Sequence, residues 1–584
     1  VTTWVRRVLA ALHTPRWISR LVLTVGAVSV ASALLPAFHG RLHLVQEMIP
    51  DIFPAAATTG AAAIGTILIV LSGGLRRGKF RAWLLATILA AIASVLHLVK
   101  GLDVEEALMC VGLTALLLRS RREFSARPDP RSLARVVTVL TLGPLIAGAL
   151  GFLWLVLDDA GEAAGTGTLA RLAQAYLGLI GVPGPVAFVS TGEYEQSAIA
   201  LLVLGAAVLL VATLAALRPA GGPHRLDADE QGRVRALLAR WGWLDSLGYF
   251  ALRDDRSVVF PSCGRAAISY RVIGGVSLAG GDPIGDPTAW GEAIEAWLDE
   301  AKAYGWTPAA LGSSERGATA FHRAGLECLE IGDEAIIRAD GFTLSGRSMR
   351  GVRQAVARCE RAGVSITVER MRDLDAGRVE ELRALADAWR DGAVERGFSM
   401  ALGRFGDPTD ADSVLVTASG PQGVIGLLHL VPWGPDGLSL DLMRRSRGTE
   451  NGVVETMVAG LMAAAPDLGV DRVSLNFAVF RSVFARGERL GAGPVQRLWR
   501  GVLLWASRFW QIESLYRANA KYQPEWVPRF IVFRTPADLP RVTTAALRAE
   551  AFLCMPTLGR RSAGSSPADG DQADSASDLI RESV

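Results

Sequence analysis

Histidine, cysteine and lysine are all scarce in this chain of 584 residues. There are seven histidines and five cysteines. The cysteines, Cys110, Cys263, Cys328, Cys359 and Cys554, are scattered without a CxxC, so neither a disulfide framework nor a zinc site organises the fold. No HExxH or clustered His/Asp set offers a metal site, and no GxxxxGK[ST] loop offers an ATP site. No GxSxG elbow is present, and beyond residue 217 only His224, His322 and His429 remain, which argues against a Ser-His hydrolase. Among the 61 basic residues only Lys79, Lys100, Lys302 and Lys521 are lysine; the rest are arginine. The net charge of +3 is unremarkable.

What the chain has in abundance is apolar sequence, unevenly spread. The mean hydropathy is +0.29, and the apolar residues crowd into the first 217 positions. Six stretches approach membrane-spanning length: 17–36, 55–74, 82–99, 104–118, 134–157 and 197–217. The fourth is short and opens on Glu105 and Glu106. Loop charges favour keeping it. Arg6, Arg7, Arg16 and Arg20 precede the first stretch, Arg76, Arg77, Lys79 and Arg81 join the second to the third, and Arg119 to Arg135 follow the fourth. The alternate loops carry Glu47 and Asp51, then Asp103 to Glu106, then Asp158, Asp159 and Glu162. By the positive-inside rule this alternation predicts six spans with both ends cytoplasmic. Residues 163–190, moderately apolar and broken by Gly-Val-Pro-Gly-Pro, read as a re-entrant or interfacial piece on the outer side.

After a Pro/Gly hinge at 218–226 the pattern changes to alternating helices and short strands, as expected of a mixed α/β domain. Strand–helix units recur in similar order, which predicts two similar halves at 227–340 and 341–557. A polar, small-residue tail follows at 558–584.

A group of polar residues stands out in the second half. Asp441 and Arg444 end one strand, Ser474 and Asn476 lie on the next, and Lys521, Tyr522 and Arg529 follow in a loop after an amphipathic helix at 498–513. Between them, Arg445 to Gly448 has the spacing of an acyl-coenzyme A phosphate loop, but Glu450 puts a carboxylate where phosphate must approach. The helix start at Asn451 and Gly452 remains a seat for another anionic or polar group. A structural ion pair for Asp441–Arg444 and a strand-end role for Asn476 are equally open. Lys521, in a chain that otherwise uses arginine, implies a need for a compact ammonium. Arg347, Arg350, Arg353, Arg358 and Arg361 share one helix, either a solvated face or a phosphate-facing one.

Several segments, taken in order, carry a family resemblance: GGLRRGKFRAWLL from 73, GGDPIGD (280–286), FHRAGLECLEIGDEA (321–335), RSMRGVRQAVARCERAG (347–363), AWRDGAVERGFSMALGRF (388–405), SLDLMRRSRGTENG (439–452), RVSLNFAVF (472–480) and YRANAKYQPEWVPRF (516–530). Together the chain resembles the bacterial phosphatidylglycerol lysyltransferases, the multiple peptide resistance factor family, in a short form without the N-terminal flippase helices. The resemblance implies two tandem acetyltransferase-like (GNAT) folds on a membrane bundle. It implies transfer of an aminoacyl group from aminoacyl-tRNA to a lipid hydroxyl, usually of phosphatidylglycerol, altering membrane surface charge and resistance to cationic peptides, with no cofactor and no metal. On that basis Asp441, Arg444, Asn476 and Lys521 are the expected catalytic residues. Arg529, Tyr522, Ser474, Asn451, Glu395, Phe398, Arg350 and Arg353 are the expected substrate-binding residues. Asp441 would hold the substrate amine, and Lys521, Arg529 or Arg444 the lipid phosphate. With no histidine evident for the proton of the lipid hydroxyl, the leaving ribose oxygen would take it. Diacylglycerol or a cell-wall precursor as acceptor, and a silent membrane scaffold, remain alternatives; the oligomeric state, a homodimer included, is left open.

Overall fold

The computed structural model describes residues 14–34, 52–101, 104–127, 129–157, 167–218, 221–222, 225–390, 397–449, 451–479, 518–551 and 553. The apolar first third folds as a helical bundle. Its helices are α1 (Pro15–Leu34), α2 (Ile52–Leu75), α3 (Phe80–Gly101), α4 (Val104–Arg119), α5 (Pro130–Leu157), the short α6 (Thr168–Gly178) and α7 (Thr191–Ala216). Among the described residues four segments are long and apolar enough to cross a membrane: Thr58–Leu75, Phe80–Leu98, Ser132–Leu157 and Thr191–Ala216. The two other expected spans, α1 and α4, do form helices but fall outside this set. With 16 residues, α4 reaches about 24 Å, short of a hydrocarbon core of about 30 Å. The stretch expected to be re-entrant supplies α6, packed against α5 and α7. Small residues let the backbones approach: a Cβ on Gly26 of α1 would lie 2.7 Å from the Gly65 carbonyl oxygen of α2. Outward-facing Leu140, Leu145, Ile146 and Leu150 of α5 are exposed, the kind of apolar surface that a bilayer, and not water, accommodates.

The rest of the chain is built on one continuous sheet. Its strands are β1 (Ser257–Val259), β2 (Ala266–Ile273), β3 (Val276–Gly280), β4 (Ile284–Gly285), β5 (Thr307–Ser313), β6 (Glu327–Arg338), β7 (Ser365–Arg370), β8 (Val414–Gly420), β9 (Gly423–Pro432), β10 (Gly437–Arg445), β11 (Arg472–Val479) and β12 (Glu525–Phe533). The order is β1-β2-β3-β5-β12-β6-β11-β10-β9-β8-β7, with β4 paired to β2 off that path. Two neighbouring pairs are parallel, β3 with β5 and β10 with β11. Each parallel pair follows a run of antiparallel strands, so the same arrangement occurs twice along the sheet. Strand β12, from near the end of the chain, is wedged between β5 and β6.

Helices cover both faces: α8 (Ala228–Trp241), α9 (Trp290–Tyr304), α10 (Glu315–Arg323), α11 (Arg350–Arg361), α12 (Ala376–Arg390), α13 (Val453–Ala464) and α14 (Leu539–Ala549). Their sequences account for their ends. Asp227 and Glu230 form a capping box at the start of α8, and Gly305, in the left-handed region at φ +66°, stops α9. Strand β5 is buried along its whole length, as a central strand covered on both faces must be. Separate cores lie under α9 (Trp290, Trp297, Phe321), under α11 and α13 (Val352, Met457, Leu461), and under α12 (Leu382, Leu415, Leu427).

Bundle and sheet domain meet at one end of the bundle. The Lys79 ammonium donates 2.7 Å to the Leu217 carbonyl that closes α7. Arg127 donates its backbone N–H 2.7 Å to Ala303 O at the end of α9, and Arg76 pairs with Asp538 at 3.4 Å. Burial, then the charges of Arg77 and Arg541, push the Lys79 ammonium down to about 7. The charge of Asp129 opposes the shift, and the bond to a helix-terminal carbonyl also favours the ammonium.

Candidate active site

The site begins where two strands part. Strands β10 and β11 pair in parallel from Gly437↔Arg472 to Ser439↔Ser474 and no further. Strand β10 is irregular between Leu440 and Leu442, so that Asp441 is the extra residue of a bulge opposite His429. Strand β11 is irregular between Ser474 and Phe477, and Asn476 there sits at φ +68°, a conformation that asparagine tolerates better than most residues. The Asn476 amide Nδ2 donates 2.5 Å to Leu440 O across the opening, while its Oδ1 is buried with no hydrogen-bond partner. Bulges of this kind re-aim side chains, and here the re-aimed residue is Asp441.

Asp441 is held on both oxygens. Oδ1 accepts the Leu402 backbone N–H at 2.5 Å, and Oδ2 lies 2.7 Å from His429 Nδ1. Both side chains are 2% exposed, and the Phe405 ring meets the imidazole edge-on at 5.1 Å. The loop that delivers Leu402 is itself clamped. Arg253 donates to Gly397 O at 2.6 Å and Ala401 O at 2.7 Å, and Arg256 to Phe398 O at 2.5 Å. Glu550, from the end of α14, accepts from the backbone N–H groups of Phe398 and Ser399 at 2.7 and 3.1 Å. Phe398 is fully buried, with the Arg256 guanidinium 4.2 Å above its ring; burial, then neighbouring Arg253, pushes that guanidinium down to about 9.

Arg529 lies deeper, in a buried ionic cluster at the join of β12, β6 and β11. It contacts Glu334 Oε2 at 2.5 Å, Asp245 Oδ1 at 2.7 Å and the Gly312 carbonyl at 3.0 Å. Ser474 donates to the same Glu334. Burial works to discharge the arginine, but Glu334 and then Asp245 outweigh it and raise its pKa. Asp282 stands nearby, pushed up to about 7 by burial and by Asp245, with Arg529 opposing. It caps the turn into α10 by accepting 2.8 Å from Ser314 N.

On the other face of β10 lies a cavity of about 390 Å³. Alternation along β9 turns Leu428 and Leu430 toward it, with Leu440, Leu475 and Val458 completing an aliphatic floor. Arg358, Arg445 and Lys521 stand at its edge, beside Glu455. Lys521 Nζ contacts Glu455 Oε1 at 2.5 Å, and Lys521 holds the Glu455 carboxyl below the ordinary range although burial alone would raise it. Tyr522 lines the same space, its hydroxyl raised by burial and then by Glu455. Asn451 lines it too and gives its carbonyl to Arg358 Nε at 2.9 Å.

The expected site residues therefore divide. Lys521, Tyr522 and Asn451 share the cavity. Asp441 and Asn476 share the strand opening. Ser474 and Arg529 share the buried cluster. Arg444 lies farther along β10, half-buried. Arg350 and Arg353 belong to the solvent-facing side of α11, where Arg353 donates to the carbonyls of Leu344 and Gly346. Glu395, Glu450 and the 498–513 helix lie outside the described residues. Arg529 was expected in a loop; it is in strand β12, and Pro528 beside it explains the misreading. Proline argues against a central strand, yet Pro528 faces Asp333 of β6 before pairing with β5 begins at Phe530↔Ser313, so no bond to β5 is lost. Sequence reasoning passed over His429, Asp245, Glu334 and Glu550. For His429 a signal exists: a lone imidazole inside the apolar run GVIGLLHLV needs a buried polar partner.

Residues 235–533 match the family model described as phosphatidylglycerol lysyltransferase, C-terminal, and residues 11–217 match the one described as the transmembrane region of lysyl-tRNA synthetase. The chain is 43% identical over 562 residues to the lysylphosphatidylglycerol biosynthesis bifunctional protein LysX of Mycolicibacterium gilvum (strain PYR-GCK), covering 93% of this chain and 50% of that protein. It is 43% identical over 561 residues to the protein of the same name from Rhodococcus jostii (strain RHA1), covering 94% and 50%. The chain spans about half the length of the curated relatives it matches. The solved structure of L-PGS from Bacillus licheniformis is 21% identical, with a TM-score of 0.49, over 56% of this chain and 98% of that one.

Proposed function

The chain belongs to the phosphatidylglycerol lysyltransferase family, and from that premise we propose that it is a membrane-held aminoacyltransferase. It moves an aminoacyl group, lysyl first among the candidates, from aminoacyl-tRNA to a hydroxyl of phosphatidylglycerol. The observation that carries this reading is the opening between β10 and β11, with Asp441 and Asn476 at its level and an aliphatic cavity edged by Arg358, Arg445 and Lys521 beside it. Aliphatic walls suit an acyl chain, and clustered cations suit a phosphodiester. Such a reaction asks mainly for positioning, because the tRNA ester is already activated.

The proposed setting is a bacterial plasma membrane, with the sheet domain on the cytoplasmic side where charged tRNA is found. The sheet domain would comprise two acetyltransferase-like units, 227–340 and 341–557, that exchange β12. Six spans are favoured by a further argument. The turn at 76–79 and residues 126–127 both touch the sheet domain or its neighbours at one end of the bundle. Helices α3 and α4 run between them, so they must leave that end and return to it. The basic face of α11, Arg350 and Arg353 included, is assigned to the tRNA phosphates.

Membranes containing the protein, supplied with lysyl-tRNA and phosphatidylglycerol, are expected to accumulate lysylated lipid, detected by mass spectrometry, and RNase pretreatment to abolish it. Equal product from free lysine and ATP without tRNA would reject the reading.

A further inference from the structure

We propose that His429 and Asp441 work as one proton-handling pair in the transfer, with His429 as the base and Asp441 as the residue that positions it; this rests on the reading of the chain as an aminoacyltransferase.

Each oxygen of Asp441 already has a partner within the protein. One oxygen accepts the Leu402 N–H at 2.5 Å and the other faces His429 Nδ1 at 2.7 Å, with both side chains 2% exposed. Both oxygens already have partners, so a substrate ammonium, the role that sequence reading assigns to Asp441, would have to share them with Leu402 and His429. A carboxylate can only accept, so Nδ1 carries a proton, and in the neutral imidazole Nε2 keeps its lone pair. That is how a buried carboxylate fixes an imidazole tautomer for base catalysis.

The surroundings hold this arrangement rigid. The bulge in β10 brings Asp441 opposite His429, and the loop carrying Leu402 is clamped by Arg253, Arg256 and Glu550. Phe405 fixes the imidazole edge-on, and its carbonyl is held by Arg383 of α12 at 3.1 Å. The described charged groups on the elements packed around the imidazole are Asp441 and Arg444 on β10, Arg383 on α12, and the Arg404–Asp410 pair of the adjoining loop. Leu415 of β8 stands across the strand. Among them Asp441 bonds the ring directly, at 2.7 Å.

The step balances. The lipid hydroxyl oxygen forms a bond to the acyl carbonyl carbon while its proton passes to Nε2. The bond from that carbon to the ribose oxygen of the tRNA then breaks, and the proton on Nε2 passes to that oxygen. No proton is consumed overall, and both co-substrates are those of the proposed function.

The test uses the full chain in proteoliposomes of phosphatidylglycerol with lysyl-tRNA, following kcat/KM from pH 5.5 to 8. Wild type is expected to lose rate toward the acid end of this range, the behaviour of an enzyme that works through a base. H429Q and the size-matched D441N are each expected to lose roughly a hundred- to ten-thousandfold and to lose the acid limb. The H429Q/D441N double variant should be no slower than the worse single one. His322, bound to Leu326 O at 3.1 Å on α10, supplies the control: H322Q should keep both rate and profile. A flat wild-type profile overturns the pair whatever the variants do. So does an H429Q or D441N protein within threefold of wild type with the acid limb intact. No lysylated lipid from wild type would overturn the transferase reading itself; product from wild type with an unaltered H429Q overturns the pair alone.

Discussion

Arg529 and Lys521 sit in one short segment, yet their substitution should have opposite consequences. The Arg529 side chain is 3% exposed and bound to two carboxylates, whereas that of Lys521 is 44% exposed and bound to one. Replacing Arg529 leaves Asp245 and Glu334 buried without their counter-ion, which costs about 3–5 kcal/mol. R529A should therefore lower the unfolding midpoint sharply in thermal or urea melts, before any question of substrate binding arises. Replacing Lys521 removes an exposed pair worth about 0–1 kcal/mol in stability. K521A should fold normally and lose about ten- to a hundredfold in lipid aminoacylation, the loss of one charge-assisted contact. Wild-type kinetics for K521A at limiting lipid would remove it from the site. Both residues were visible as candidates in the sequence. Which one is locked in the interior was not, because that depends on β12 being drawn into the sheet.

At the scale of elements, the junction of α11 and α13 rests on one glycine. Gly452, at φ +113°, precedes α13, and a Cβ there would lie 2.7 Å from the Ala355 Cβ of α11. Any side chain would meet both backbone strain and a clash with the neighbouring helix. G452A should destabilise the sheet domain by about 1–3 kcal/mol and widen the cavity edge held by Arg358 and Asn451. Urea melts measure the first effect, and a raised KM for lipid the second. Helix α11 was legible beforehand from the spacing of Arg350, Arg353, Arg358 and Arg361 along it. Strand β12 was not. Its partners, β5 and β6, lie far away in sequence, and local pattern carries no information about which distant strands will receive a segment.

At the scale of the whole molecule, the contact between bundle and sheet domain makes topology testable. Reporter fusions after residues 127 and 222 should report the same side of the membrane, and a fusion at residue 160 the opposite side. If the fusion at 127 sides with that at 160, the 16-residue α4 does not cross, and loop charge has misled. The sequence alone determined the division into an apolar helical part and a mixed α/β part, which follows from composition and period and is local; its ordered motifs carried the family resemblance. Only the tertiary structure decided that Asp441 pairs with His429, that Arg529 closes a buried cluster and that Lys521 stands at a cavity edge. The reason is geometric: a single-residue bulge in β10 and an end-of-chain strand wedged between two earlier ones change which side chains meet, while altering no pattern that residues near in sequence could reveal.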